Sequence, residues 1–300
     1  MRRVIILVAV GVMVACEQRP PFLRTLTPHD AYAGSLRTAG LHETALGRDW
    51  ITAGEAALRD ARATTLPLQV ATPFTAAEAR AIGYRLSLKR GRVLRVEIAP
   101  AGDQTLVFLD LFRAPAQPGE PATHIVSAER GTLVIEREID RDGDYLLRIQ
   151  PELLRSGTLK IVQRTTAALS FPVAGRNRAA VQSYFRDPRD GGRREHHGVD
   201  IFAPRDTPVL AASSGLVSSV ATTPVGGHVV WVWDPRRGQS HYYAHLSRQS
   251  VRIGQPVTAG DVIGYVGNTC NARTTPPHLH FGIYARGDGP IDPLPFVAGD

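Results

Sequence analysis

A chain of 300 residues, 43% of them hydrophobic, is long enough for two packed domains at about 100–200 residues each. The formal charge of +7 points to acidic surfaces, yet the chain has no arginine-rich tract and no aromatic-plus-basic module, so no nucleic-acid partner is expected. With only two cysteines, Cys16 and Cys270, no disulfide framework can hold the fold, which must rest on its cores.

Met1-Arg2-Arg3 is a short positive region, and Val4 to Ala15 is an unbroken run of apolar or small residues. The run is too short to span a bilayer, for which about 20 apolar residues are needed, and it reads as a secretory signal over residues 1–15. Met13-Val-Ala-Cys16 resembles a bacterial lipobox, with Met13 where leucine is usual. That resemblance implies lipidation of Cys16 and a membrane anchor; Glu17 after the cysteine implies the outer rather than the inner membrane. Ordinary cleavage near Ala15 is the alternative. Either way the chain is expected to be exported, to the periplasmic side of the envelope.

A proline-containing tether over 16–27 leads to a helical segment over 28–65, in which Gly40 and Gly47 favour two short helices over one. Thr27, Pro28 and Asp30 mark a helix start. From 66 to 166 short alternating runs such as Val93-Leu-Arg-Val-Glu-Ile and Tyr145-Leu-Leu-Arg-Ile-Gln, separated by turn signals, predict an antiparallel β-sandwich accessory domain. Asp140, Asp142 and Asp144 form a hairpin turn or, alternatively, an acidic Ca²⁺ loop. Residues 167–300 read as a second all-β domain, so the chain is mainly β with short N-terminal helices.

Seven of the ten histidines lie between His196 and His280, and a metal site is the simplest reason for that crowding. Two imidazoles and a carboxylate are a common ligand set for a catalytic zinc, which keeps a fourth position for water. Side chains two or four apart share a strand face, which groups His196 with Asp200, His278 with His280, and His241 with Tyr243 and His245. His197 has the wrong parity relative to Asp200, so His196 is the expected ligand. His29, His42, His124 and His197 read as solvated, while His228 and His241 are open between cleft and surface.

The blocks His196-His-Gly-Val-Asp-Ile-Phe-Ala-Pro, Tyr243-Ala-His-Leu and Pro277-His-Leu-His-Phe resemble the three signature blocks of the M23 peptidases, the lysostaphin-like or LytM-like peptidoglycan endopeptidases. The stretch from Gly254 to Thr269 also matches in order, and the likeness covers roughly 170–297. The resemblance implies an antiparallel β-sheet peptidase domain holding one Zn²⁺ on His196, Asp200 and His280. It makes His245 and His278 the proton-handling residues and suggests Asn268 and Thr275 as groove residues. Cys270 stands where the family usually has glycine, which puts that loop's backbone in question.

The implied function is zinc-dependent hydrolysis of peptide crosslinks in peptidoglycan, with a metal-activated water as nucleophile. The alternative from the same resemblance is a non-catalytic LytM-like regulator of a cell-wall amidase, with a divisome or amidase partner. The residues before 167 offer an inhibitory cover, a partner site or a spacer, and nothing in them selects one.

Overall fold

In a computed structural model that describes residues 26–299 except Asp103, Pro118 and Arg130, the chain opens with two short helices, α1 (Pro28–Thr38) and α2 (Ala45–Arg59). Thr27 caps α1 by accepting from the Asp30 amide at 3.0 Å, and Thr44 caps α2 through the Gly47 amide. Residues 1–15, read from the sequence as a signal, and Cys16 and Glu17 lie outside the described residues. No described helix is long and apolar enough to cross a membrane.

Nine strands follow: β1 (Arg62–Ala63), β2 (Leu68–Phe74), β3 (Ile82–Leu88), β4 (Arg92–Gly102), β5 (Val107–Arg113), β6 (Thr123–Ser127), β7 (Val134–Glu138), β8 (Gly143–Pro151) and β9 (Gly157–Ala167). They form two sheets, ordered β1-β3-β8-β5-β6 and β2-β9-β4-β7. Leu94, Val96 and Ile98 of β4 meet Leu86, Leu111, Leu147 and Ile149 of the other sheet in one core. All neighbours are antiparallel except the short β1–β3 pair. The acids of the Asp140–Asp144 turn are taken by separate cations: Asp140 by Arg113, Asp142 by Lys89 and Asp144 by Arg85. The turn is therefore a salt-bridged hairpin, with no shared ligand cluster.

β8 is buried on both faces, because the helices cover the outer side of its sheet. Trp50 fills that layer and donates through Nε1 to the Pro151 carbonyl at 2.9 Å. His29 belongs here too. Contrary to expectation it is only 6% exposed, stacked on Trp50 and bonded to Gln150 Oε1 at 2.8 Å. His124 is half-buried, within 2.9 Å of Ser127 Oγ.

The remainder comprises β10 (Val181–Ser183), β11 (Pro188–Arg189), β12 (Arg194–Glu195), β13 (Val199–Phe202), β14 (Pro208–Leu210), β15 (Gly215–Thr223), β16 (Gly227–Asp234) and β17 (Gln239–Leu246). Then come β18 (Arg248–Gln249), β19 (Pro256–Val257), β20 (Val262–Tyr265), β21 (His278–Ala285), β22 (Gly289–Ile291) and a terminal turn of helix, α3 (Leu294–Val297). The main sheet runs β10-β13-β21-β17-β16-β15-β19, with β22 on β21. Its inner face packs Ile201, Val230, Tyr243, Phe281 and Ile283 against Val209 and Ile263 of the small sheet β14-β20-β18.

The two β units are held by specific contacts. Arg237 makes a bidentate pair with Glu138 at 2.7 and 2.8 Å and also binds Asp234 at 2.8 Å. The Leu169 amide donates to the Phe296 carbonyl, and Phe296 lies over Gly91, where a Cβ would come within 2.4 Å of the ring.

Candidate metal centre and active-site cleft

The outer face of the main sheet carries the site. In the β13–β21 pair Asp200 stands opposite His280 and Phe202 opposite His278, so both pairs share that face while Ile201 and Leu279 enter the core. His196 arrives from the loop just before β13. Its Nε2 lies 3.0 Å from Asp200 Oδ1 and 2.9 Å from His280 Nδ1, and His280 Nδ1 is 3.1 Å from the same oxygen. Gly198 makes this approach possible. A Cβ there would fall 2.4 Å from the Phe281 carbonyl oxygen and within 3.0 Å of the His280 ring.

The triangle has the character of a cation site. His196 Nδ1–H donates to the Tyr184 carbonyl at 2.8 Å, which aims Nε2 at the carboxylate and at His280. Nε2 and the carboxylate oxygen, 3.0 Å apart, can share a cation. Edges of 2.9–3.1 Å are also close to the about 3.3 Å edge of a tetrahedral shell with bonds of about 2.0–2.1 Å. Among the described residues this is the single group of three or more His, Cys, Asp or Glu side chains with metal-binding spacing. The donor set suits a borderline divalent metal.

Burial works against the Asp200 carboxylate, yet hydrogen bonds to His196 and His280, and their charges, hold its pKa well below the usual range. Asp200 Oδ2 accepts from Arg189 Nη2 at 2.7 Å.

His245 reaches the cleft by a backbone device. In the pairing of β16 with β17, His228 faces Leu246 but Val230 faces Tyr243, so β17 carries one extra residue. His245 sits in that bulge at φ 62°, its amide donating to the Gly226 carbonyl at 2.7 Å. The bulge breaks the expected shared face: Tyr243 and His241 point into the core, and His245 turns to the cleft side. Its ring lies 5.1 Å from that of His278 and 5.9 Å from that of His280, between centroids. Burial, helped by charge on His280 and His278, lowers the His245 pKa to about 4. His278 donates Nδ1–H to the Pro276 carbonyl at 2.9 Å, which frees Nε2, and its ring stacks on Phe202.

These residues line an open cleft of about 590 Å³. One flank is aromatic: Trp231 and Tyr242 pair across β16 and β17, and both contact Tyr284. Thr275 lines the cleft. Asn268 ties down the loop behind it, bonding Arg205 and the Thr275 carbonyl. Exposed His197 is at the rim, whereas His228 and His241 do not line the cleft. Cys270 is half-buried in the same loop at φ 56°, so the loop keeps a backbone that favours glycine.

Sequence reasoning missed Ser183, Tyr184, Arg189 and the aromatic flank. Tyr284 was legible, being four residues beyond His280 on one strand face, and Tyr242 shares the parity of Ala244 opposite His280. Nothing in the sequence marked Arg189. No residue before Gln182 lines the cleft among the described residues.

Comparison with known proteins agrees with the geometry. The model of Peptidase family M23 matches residues 194–293. The L-Ala--D-Glu endopeptidase of Bacillus subtilis is 36% identical over 139 residues, 43% of this chain and 42% of that protein. The peptidoglycan DD-endopeptidase ShyC of Vibrio cholerae is 34% identical over 102 residues, 33% of this chain and 22% of that protein. The catalytic domain of lysostaphin from Staphylococcus simulans is 34% identical with a TM-score of 0.35, covering 38% of this chain and 88% of that one. The chain thus spans less than half the length of the two curated relatives. Residues 194–293 of this chain are a peptidase family M23 domain.

Proposed function

We propose that the protein is a metal-dependent endopeptidase that hydrolyses peptide crosslinks in bacterial peptidoglycan. The observation that carries this reading is the His196–Asp200–His280 triangle with two further histidine rings at its edge, set in an open cleft. Relatives named as L-Ala--D-Glu and peptidoglycan DD-endopeptidases support the substrate class.

His196, Asp200 and His280 would hold the metal, and zinc suits two imidazoles and one carboxylate. When bound, such an ion supplies Lewis acidity that polarises a peptide carbonyl and acidifies water enough for attack near neutral pH. The chain's own groups do the rest. His245, kept neutral by burial, and His278, with Nε2 free, stand where one can take a proton from the attacking water and return it to the leaving amine. The strained backbone at His245 fixes its ring against that face. A scaffold without turnover has no use for these two unligated histidines, which favours an enzyme over an amidase regulator.

The lipobox resemblance at Cys16 supports anchoring on the periplasmic side of the envelope, where a lipid-tethered chain meets the wall. The test is muropeptide analysis of sacculi incubated with the full chain in detergent, with and without chelator. Chelator-sensitive loss of crosslinked dimers is expected and identifies the bond cut. Intact crosslinks after incubation with metal-loaded protein would overturn the reading.

A further inference from the structure

The short turn before His196 is committed to the ligand side chains. Tyr184 supplies the carbonyl that accepts from His196 Nδ1, and Ser183 Oγ lies 3.2 Å from the same nitrogen. Asp187 braces the turn by accepting from the Tyr184 amide at 2.7 Å and from Ser183 Oγ at 3.2 Å, while its carbonyl receives the His196 amide. Arg189 closes it: Nη2 donates to Ser183 Oγ and, at 2.7 Å, to Asp200 Oδ2. The other arginines here go elsewhere, Arg186 to Glu195 at 3.6 Å and Arg194 to Asp190 at 2.6 Å.

The two oxygens of Asp200 therefore differ. Oδ1 faces His196 and His280, and Oδ2 faces a guanidinium. A carboxylate can bind a metal through one oxygen or both, and a charge-assisted hydrogen bond of this length commits the second oxygen elsewhere. A metal also bound by Oδ2 would gain a protein ligand in place of water, as in a closed structural site.

We propose that Arg189 is a positioning residue that keeps Asp200 a one-oxygen ligand and so preserves the coordination place used by water. This rests on the metal-site reading above. Arg189 acts through Asp200, with Ser183 holding the guanidinium. Lysine, a compact point charge on a different stem, reproduces that placement only in part.

The test compares the full chain with Arg189→Met and Arg189→Lys, each loaded with Co²⁺ as a spectroscopic probe. Visible absorption, metal stoichiometry, thermal unfolding and turnover of crosslinked muropeptides are read together. Arg189→Met is expected to bind one Co²⁺ with a weakened visible band, as coordination number rises. Its kcat should fall roughly 10–100-fold with KM within about twofold of wild type, and Arg189→Lys should lie between. A role confined to holding the turn would lower the unfolding temperature and leave the Co²⁺ band unchanged, which overturns the proposal. If Arg189→Met does not fold, the Arg189→Lys spectrum decides by the same criterion. A wild-type chain that binds no stoichiometric Co²⁺ removes the metal reading and this proposal together, a result distinct from an unchanged variant band.

Discussion

Asp200 and His280 stand opposite each other in one antiparallel strand pair, with Oδ1 and Nδ1 3.1 Å apart. That register turns two separate sequence blocks into one site, since a slip of a single residue would send one of the two side chains into the core. His196 completes the triangle from the loop.

Removing a ligand and removing a proton-handling residue should give different losses. His280→Ala is expected to lose both bound metal and turnover, because two protein ligands remain. His245→Ala should keep a full equivalent of metal while kcat falls by roughly 10²–10⁴-fold. Metal content by elemental analysis, measured beside muropeptide turnover, separates the two; a metal-free His245→Ala protein would sink the role assignment.

Gly198 is the residue that lets His280 approach. Gly198→Ala should destabilise the protein by about 1–3 kcal/mol and weaken metal binding, since the added methyl meets a carbonyl oxygen at 2.4 Å and the His280 ring. Gly34, in α1, is the contrast, because a methyl added there meets no atom within 4 Å. Gly34→Ala should stabilise by about 0.5–1 kcal/mol. Urea unfolding of both variants checks the pair.

Stability should fall on acidification because of His241. This ring is fully buried, its Nδ1 lies 3.2 Å from Ser213 Oγ, its Nε2 has no partner, and burial lowers its pKa to about 4. The folded state therefore binds the proton more weakly than the unfolded chain. The corresponding stability is complete above about pH 6.5 and declines as pH falls toward 4, by about 1.4 kcal/mol per unit. His241→Gln should flatten that part of the profile, read by thermal unfolding from pH 7.5 to 4.5; an unchanged slope counts against it.

Cys270 holds a left-handed backbone at φ 56°, which costs a side-chain residue about 1–2 kcal/mol. Cys270→Gly is expected to raise the unfolding temperature, the relieved strain exceeding the added freedom of the unfolded chain, whereas Cys270→Val should lower it. Calorimetry of the two variants gives opposite signs if the backbone is the cause.

The ligands are legible in the sequence because strand parity is a local property. His196, Asp200, His278 and His280 follow from spacing and from the resemblance of their blocks. The same parity rule misplaces His245, since a bulge adds a residue that no pattern announces, and it misses the burial of His29, which depends on helices folding over a distant strand. The alternating runs read from the sequence include most sandwich strands but not β2 or β6: β2 alternates only between partly buried and exposed residues until Phe74, and β6 has no fully buried residue.

The sequence by itself determined most element types, the first helix start and the donor set, because caps, alternation and ligand chemistry are written in neighbouring residues. Tertiary structure decided which donors meet, which nitrogen of His196 faces the site, which oxygen of Asp200 Arg189 occupies, and that no described residue before Gln182 lines the cleft. Those outcomes depend on register, a bulge and long-range hydrogen bonds, which are set by packing between segments far apart in the chain.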